Sequence, residues 1–199
     1  MMERRDFLKS VAGVSLAAGS GLILPGREVF AAPSGPVSAQ LDNDFWFRPR
    51  RIHIQRSDNN ERLNITFWQN GAYDELAYRK LCWLFRDVKS RNAARHMDIA
   101  LFNVIYGVQE WGRLLGSYDP VYLLTSGYRT DHRNATIEGA ARNSFHVLGK
   151  GSDGVYKGIQ LRSVITMAGY FNAGGVGGYN TFVHFDTGGR DRRWGSAKR

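Results

Sequence analysis

The stretch Ser-Phe-His-Val-Leu-Gly-Lys-Gly-Ser-Asp occupies residues 144–153, and Phe-Val-His-Phe-Asp follows at residues 182–186. Together they contain His146, Asp153 and His184, which are side chains of the types that bind zinc. A catalytic zinc ion takes three protein ligands and leaves a fourth position for water, which the metal acidifies. The two stretches therefore predict a fold in which a loop and a strand meet at one catalytic zinc.

The glycines of the first stretch bear on whether these ligands can meet. Gly149 and Gly151 lie between the first histidine and the aspartate, and glycine permits the sharp backbone bend that convergence requires. In the alternative interpretation, His146 is a hydrogen-bonded structural histidine, residues 149–153 form an ordinary loop and His184 is an interior strand residue. Single-residue matches are weak evidence, so the surrounding sequence has to decide between the two interpretations.

The N-terminus has the composition of an export signal. Arg4 and Arg5 precede a mostly small and apolar stretch that ends near Ala31. We interpret residues 1–31 as a twin-arginine signal peptide that directs the chain to the periplasm. Residues 32–44, which are rich in Pro, Ser, Gly and Ala, are expected to form a flexible spacer. After signal removal we expect no stable membrane span.

The rest of the sequence mixes strand and helix patterns. Strict alternation of side chains predicts a hairpin from residues 51–55 and 63–67, and short apolar runs predict strands at 121–125 and 182–186. Helical periodicity predicts three helices, which cover residues 74–88, 97–115 and 161–168. Strands and helices thus share one domain of ordinary size.

Several separated motifs occur in one characteristic order. They are Ser-Gly-Tyr-Arg at 126–129, the stretch at 144–153, Ala-Gly-Gly-Val-Gly at 173–177, Phe-Val-His-Phe-Asp-Thr-Gly at 182–188, and the closing Trp194. In this the chain resembles zinc metallopeptidases of the D-alanyl-D-alanine carboxypeptidase type, and within them the YcbK-like murein endopeptidases. The resemblance covers residues 45–194, interpreted as a zinc peptidase-like domain, and leaves residues 195–199 as a basic tail.

The resemblance implies zinc bound by His146, Asp153 and His184, with Arg129 near the substrate. It also implies a small α+β fold, in which helices pack on one face of an antiparallel sheet and the zinc lies in a surface cleft. Arg129 follows a strand end and a glycine, so its guanidinium is expected to reach the cleft. There it would hold a carboxylate or the developing oxyanion. The alternative is a surface arginine on a turn.

The catalytic base departs from the wider superfamily, which often has an acidic residue three positions before the last histidine ligand. Here that position is Thr181. Side chains two apart on a strand share a face, so Asp186 points the same way as His184 and is the predicted base. Its competing role is to orient the imidazole through a hydrogen bond. Gly151 and Gly154 also depart from the family pattern, which has alanine and an apolar residue at these positions.

The formal net charge of +9 and the basic C-terminus, with Arg190, Arg192, Arg193, Lys198 and Arg199, suit an anionic polymer. Nucleic acid is not expected as a partner, because no zinc finger or RNA-recognition signature is present. For an exported protein the envelope supplies such a polymer. Peptidoglycan peptides are the predicted partner.

The predicted function is zinc-dependent hydrolysis of the peptide cross-links of peptidoglycan. Zinc would polarise the scissile carbonyl, while a carboxylate would transfer the proton to the leaving amine. Two alternatives stay open at this point. One is a carboxypeptidase of the same fold that removes a terminal D-alanine, and the other is a catalytically silent protein that only binds peptidoglycan.

Overall fold

The computed structural model describes residues 44–171 and 174–198. The predicted signal peptide, and the spacer apart from Asp44, lie outside these residues. The chain divides into two units, and the second of them is Phe47–Arg199. All the helices and strands named below belong to the second unit.

The described residues of this unit form eight strands and four helices. The strands are β1 (Arg50–Arg56), β2 (Arg62–Gln69), β3 (Ala72–Tyr73), β4 (Tyr122–Ser126), β5 (Gly151–Tyr156), β6 (Gly175–Gly178), β7 (Val183–Asp186) and β8 (Arg192–Gly195). The helices are α1 (Glu75–Leu84), α2 (Ile99–Leu114), α3 (Asp131–Ala135) and α4 (Leu161–Tyr170). The predicted α+β class is confirmed.

The strands form one eight-stranded sheet in the order β3-β2-β1-β4-β5-β7-β6-β8. Strands β1 and β4 run parallel, as do β6 and β8, and the other neighbours are antiparallel. The prediction of a small antiparallel sheet is therefore wrong in size, and the sheet is mixed rather than purely antiparallel. The parallel pairing of β1 with β4 follows from the crossover through α1 and α2, since parallel neighbours cannot be joined by a tight turn.

Four of the strands were missed by the sequence patterns, and one of them is the two-residue β3. Residues 151–153, predicted as part of a turn, begin β5, and the glycine-rich residues 175–178, predicted only to follow a helix, form β6. Residues 192–195, interpreted as the end of the domain and the start of a tail, form β8 beside β6. Glycine and aspartate are depleted in strands, so these segments carry no strand signal of their own.

The long helices and the predicted site residues lie on opposite faces of the sheet. Tyr122, Tyr156 and Phe185 lie on the face against which the long helices pack, and the hydroxyl of Tyr156 donates to the carbonyl of Ile105 in α2 at 2.9 Å. Helix α4 contacts β5, β6 and β7. Because successive strand residues point to opposite faces, Asp153, His184 and Asp186 point to the other face, which we call the metal face.

Hydrogen bonds of Asp98 connect the start of α2 to the segments that flank the strands of the metal face. Asp98 caps the helix by accepting from the amide of Ala100 at 3.0 Å, and its second oxygen accepts from the hydroxyl of Thr187 at 2.7 Å. The Asp98 amide donates to the carbonyl of Gly149 at 2.8 Å. One residue thus connects the helix to the loop before β5 and to the end of β7. None of the helices among the described residues has the length and apolar character needed to cross a bilayer.

Candidate metal centre

Strand register brings the side chains of the metal face into two rows. Asp153 of β5 pairs with His184 of β7, which pairs with Gly177 of β6, which in turn pairs with Trp194 of β8. The second row contains Gly151, Asp186, Gly175 and Arg192. Each row therefore has a glycine in β6, and that glycine leaves space for the long side chain of β8 to reach β7.

The three predicted ligands meet on this face. His146 Nε2 lies 3.2 Å from Asp153 Oδ1 and 3.2 Å from His184 Nδ1, and the last two atoms are 2.7 Å apart. All three residues are buried. Ligands at typical zinc distances of about 2.0–2.1 Å stand about 3.3 Å apart around a tetrahedral ion. The three atoms therefore have the spacing to hold one metal ion.

His146 is positioned by the loop that precedes β5. Its backbone amide donates to the hydroxyl of Ser144 at 3.3 Å, and the amide of Gly149 donates to the His146 carbonyl at 3.2 Å. The ring Nδ1 lies 2.7 Å from the carbonyl oxygen of Gly127. A carbonyl can only accept, so Nδ1 carries the proton and the Nε2 lone pair faces the other ligands.

The space around Gly127 leaves no room for a side chain. A Cβ at this position would lie 2.5 Å from the carbonyl oxygen of Phe85, which also accepts from the amide of Tyr128 at 2.8 Å. The close approach of two backbone segments fixes where the Gly127 carbonyl lies. The glycine of the Ser-Gly-Tyr-Arg motif thereby determines the orientation of a predicted ligand nineteen residues away.

His184 is oriented by Asp186. Its Nε2 lies 3.2 Å from Asp186 Oδ2, so a proton on Nε2 leaves the Nδ1 lone pair for a metal. Asp186 Oδ1 accepts from the amides of Gly175 at 3.1 Å and Gly188 at 2.8 Å, and from Arg192 Nη2 at 2.6 Å. The Asp186 side chain is completely buried. Both of its oxygens are therefore committed to partners on the far side of the imidazole.

Asp153 is oriented by Arg129. Arg129 Nη2 donates to Asp153 Oδ2, and Arg129 Nε donates to the hydroxyl of Ser126 at 2.8 Å. The arginine is thus placed next to a predicted ligand, at the end of β4. Its Nη1 group makes no hydrogen bond with the described residues and remains available to another acceptor. All three predicted ligands consequently have a second partner that fixes their orientation.

Burial and charge oppose each other in this cluster. Burial lowers the pKa of His146, which favours the neutral imidazole that metals bind. Burial alone would raise the pKa of Asp153, but His146 and His184 hold it well below its usual range. Burial also opposes the charging of His184, although its hydrogen bonds to Asp153 and Asp186 raise its pKa. A buried carboxylate between two imidazoles is an environment that a cation would stabilise.

Two features of the site escaped the sequence patterns. Arg192, predicted as part of a basic C-terminus that suits an anionic polymer, packs its guanidinium 4.5 Å from the ring centroid of Phe145 and bonds Asp186. Gly154, noted as a departure from the family pattern, leaves room for Tyr122, because a Cβ there would lie 2.5 Å from the phenol ring. The Tyr122 hydroxyl lies 2.7 Å from Ser152 Oγ. Local sequence patterns do not predict these contacts, because the contacts depend on strand register.

Comparisons with known proteins identify the family of the chain. The sequence model of the family described as peptidoglycan L,D-endopeptidase MepK matches residues 46–194. The chain is also 33% identical over 147 residues to the probable peptidoglycan L,D-endopeptidase MepK of Haemophilus influenzae, an alignment that covers 71% of this chain and 77% of that protein. No solved structure matches significantly. The resemblance to murein endopeptidases is confirmed, and the chain belongs to the peptidoglycan L,D-endopeptidase MepK family.

Proposed function

We propose that this protein is a zinc-dependent peptidase that hydrolyses peptide cross-links of peptidoglycan at a bond between an L and a D centre. The observation that carries the proposal is the convergence of His146 Nε2, Asp153 Oδ1 and His184 Nδ1 within 3.2 Å of one another. Membership of a family described by that activity supports it. The matched relative carries the same activity in its name.

The three ligands would hold zinc in the cleft of the metal face, through two neutral imidazoles and one carboxylate. Zinc bound there supplies a Lewis acid that polarises the scissile carbonyl and activates water. Arg129 keeps Asp153 in place through Nη2, and its Nη1 group donates to the oxyanion that develops on the substrate. The guanidinium thus has two tasks, one toward the ligand and one toward the substrate.

For Asp186 the geometry favours the orienting role over that of general base. Its Oδ2 bonds His184 Nε2, which is the ring nitrogen directed away from the ligand cluster, and the side chain has no exposed surface. Water held between the ligands would be separated from this carboxylate by the imidazole ring. We therefore propose that Asp186 is a positioning residue that fixes the His184 tautomer.

The predicted location of the protein is the periplasm, because peptidoglycan is its substrate. The route remains our proposal, based on Arg4, Arg5 and the apolar stretch that follows them. Substitution of both arginines by lysine in the full chain should abolish export of the folded protein, as followed by fractionation. Unimpaired export of that variant would contradict the twin-arginine route.

Digestion of purified sacculi tests the proposed activity. The zinc-loaded protein should release muropeptides whose masses correspond to opened cross-links, and the Asp153→Asn variant should release none. Asp191→Asn is a matched control, since Asp191 is an exposed carboxylate paired with Arg193. Release of D-alanine alone would instead identify a carboxypeptidase. Binding to sacculi without any released product would identify a silent binding protein.

A further inference from the structure

Three aromatic side chains extend from the candidate metal centre along the metal face. The ring centroid of Trp194 lies 5.2 Å from that of His184, and Trp194 Nε1 donates to the Tyr179 hydroxyl at 3.0 Å. Tyr179 stacks on Phe182 with a centroid distance of 4.4 Å and an interplanar angle of 17°. We call Trp194, Tyr179 and Phe182 the aromatic ledge.

Glycines in β6 leave the space in which the indole of Trp194 lies. Gly177 lies between His184 and Trp194 in the first row of the metal face, and a Cβ on Gly177 would penetrate the indole ring. A Cβ on Gly175 would lie 2.8 Å from the same ring. The indole therefore lies flat over β6 and reaches the imidazole because both positions are glycine.

The ledge is open to a ligand at its outer end. The Tyr179 side chain is 44% exposed although it stacks on one ring and bonds another. Trp194 and Phe182 are half-buried. Exposed aromatic surface next to a candidate site is typical of a binding surface, since large apolar surface is otherwise covered.

We propose that the aromatic ledge binds the peptide arm on one side of the scissile bond, an inference that rests on the proposed peptidase function. Aromatic rings pack against peptide planes and aliphatic side chains. The first ring of the ledge, Trp194, has its centroid 5.2 Å from that of the His184 imidazole, and Tyr179 and Phe182 follow it. An extended peptide advances about 3.3 Å per residue. The 5.2 Å from the imidazole to the first ring already exceeds one residue of extended peptide, so substrate residues beyond the scissile bond reach the ledge.

The ledge determines specificity for a cross-linked peptide over a short one. Residues of the substrate beyond the scissile bond contact rings that no dipeptide reaches. Their binding energy then appears mainly in KM for the longer substrate. Arg129 marks the opposite side of the cluster, at Asp153, so the ledge and the guanidinium lie at the two ends of the row of ligands.

Tyr179→Ala tests the proposal, with Tyr118→Ala as the matched control because Tyr118 is 99% exposed on the loop after α2. The substrates are a purified cross-linked muropeptide and a dipeptide that contains only the two residues of the scissile bond. Tyr179→Ala should raise KM for the muropeptide about tenfold, with kcat, activity on the dipeptide and zinc affinity unchanged. Tyr179→Phe, which keeps the ring, should restore most of the loss.

The outcomes separate this inference from the proposed function. A wild-type protein that cleaves neither substrate contradicts the peptidase function itself. If the wild type is active and Tyr179→Ala behaves like Tyr118→Ala on the muropeptide, the ledge is not a subsite. Equal losses on both substrates, or a weakened affinity for zinc, would also overturn the proposal, because they would show damage to the metal centre. If the wild type cleaves only the muropeptide, a tenfold higher KM supports the subsite and an unchanged KM rejects it.

Discussion

Replacing Asp186 by asparagine distinguishes the two roles considered for this carboxylate. In the wild type Oδ2 accepts from His184 Nε2, while Oδ1 accepts from Gly175, Gly188 and Arg192. An amide can satisfy only one of these sides. With its NH2 group toward His184 two donors face each other, and with the opposite orientation the NH2 group faces three donors.

The amide therefore favours the orientation with one conflict, which acts on His184. The ring then either loses its hydrogen bond or moves its proton to Nδ1, the atom predicted to bind the metal. Loss of such an orienting partner lowers metal affinity by about 10- to 100-fold, which corresponds to about 1.4–2.8 kcal/mol. We expect the upper end of that range, because the Asp186 side chain is fully buried and water cannot replace the lost acceptor.

The assay is a zinc competition titration with a chromophoric chelator, together with thermal unfolding of the metal-free protein. Asp186→Asn should raise the Kd for zinc about 100-fold. Asp191→Asn, which changes an exposed carboxylate on the same segment, should leave the Kd unchanged. A general base would behave differently, since its loss would abolish turnover at a normal Kd. A wild-type Kd for Asp186→Asn would therefore refute the orienting role.

Three further predictions concern the metal, the packing and the pH dependence. Chelation should abolish cross-link hydrolysis, and added zinc should restore it; muropeptide release that persists without metal would contradict the proposal. Gly177→Ala should lower the Tm because its Cβ enters the indole of Trp194, whereas Gly169→Ala, with its nearest neighbour 3.6 Å away, should leave or raise it; equal Tm values for the two variants would contradict this account. Burial would raise the pKa of Asp87, but its hydrogen bonds to Thr130 and its ion pair with Arg133 hold it below the usual 3.8. This contribution is present above the unfolded pKa and is lost as pH falls through the folded pKa. The Tm advantage of the wild type over Asp87→Asn should therefore shrink below pH 3.8 and disappear at lower pH; a constant advantage there would contradict it.

The sequence predicted the long helices and the outer hairpin because each carries its own periodic signal. Residues 97–115 place apolar side chains on one helical face, and α2 covers most of them. The first helix is shorter than predicted, since α1 ends at Leu84 rather than near Val88. Tertiary contacts of Arg86 with Glu61, at 2.6 and 2.8 Å, occupy the segment that would have continued it.

The predicted ligands were recognisable from their residue types and order, and their ligand atoms do lie together. Their supporting partners were not recognisable in the same way. Gly127 orients His146 through a backbone carbonyl, which any residue possesses. Arg192 lies in a charged segment whose composition alone suggests a solvated surface.

Strand order explains why the supporting partners of the predicted ligands cannot be predicted from local patterns. β8 follows β7 in the sequence but pairs with β6, so Trp194 and Arg192 reach β7 only across an intervening strand. That reach is possible because the intervening strand is Gly-Val-Gly-Gly, with glycines at the two positions that lie on the metal face. A residue with a Cβ at either position would separate β8 from His184 and Asp186. The glycines that weaken the strand signal of β6 are thus the same residues that allow the outer strand to support the metal centre.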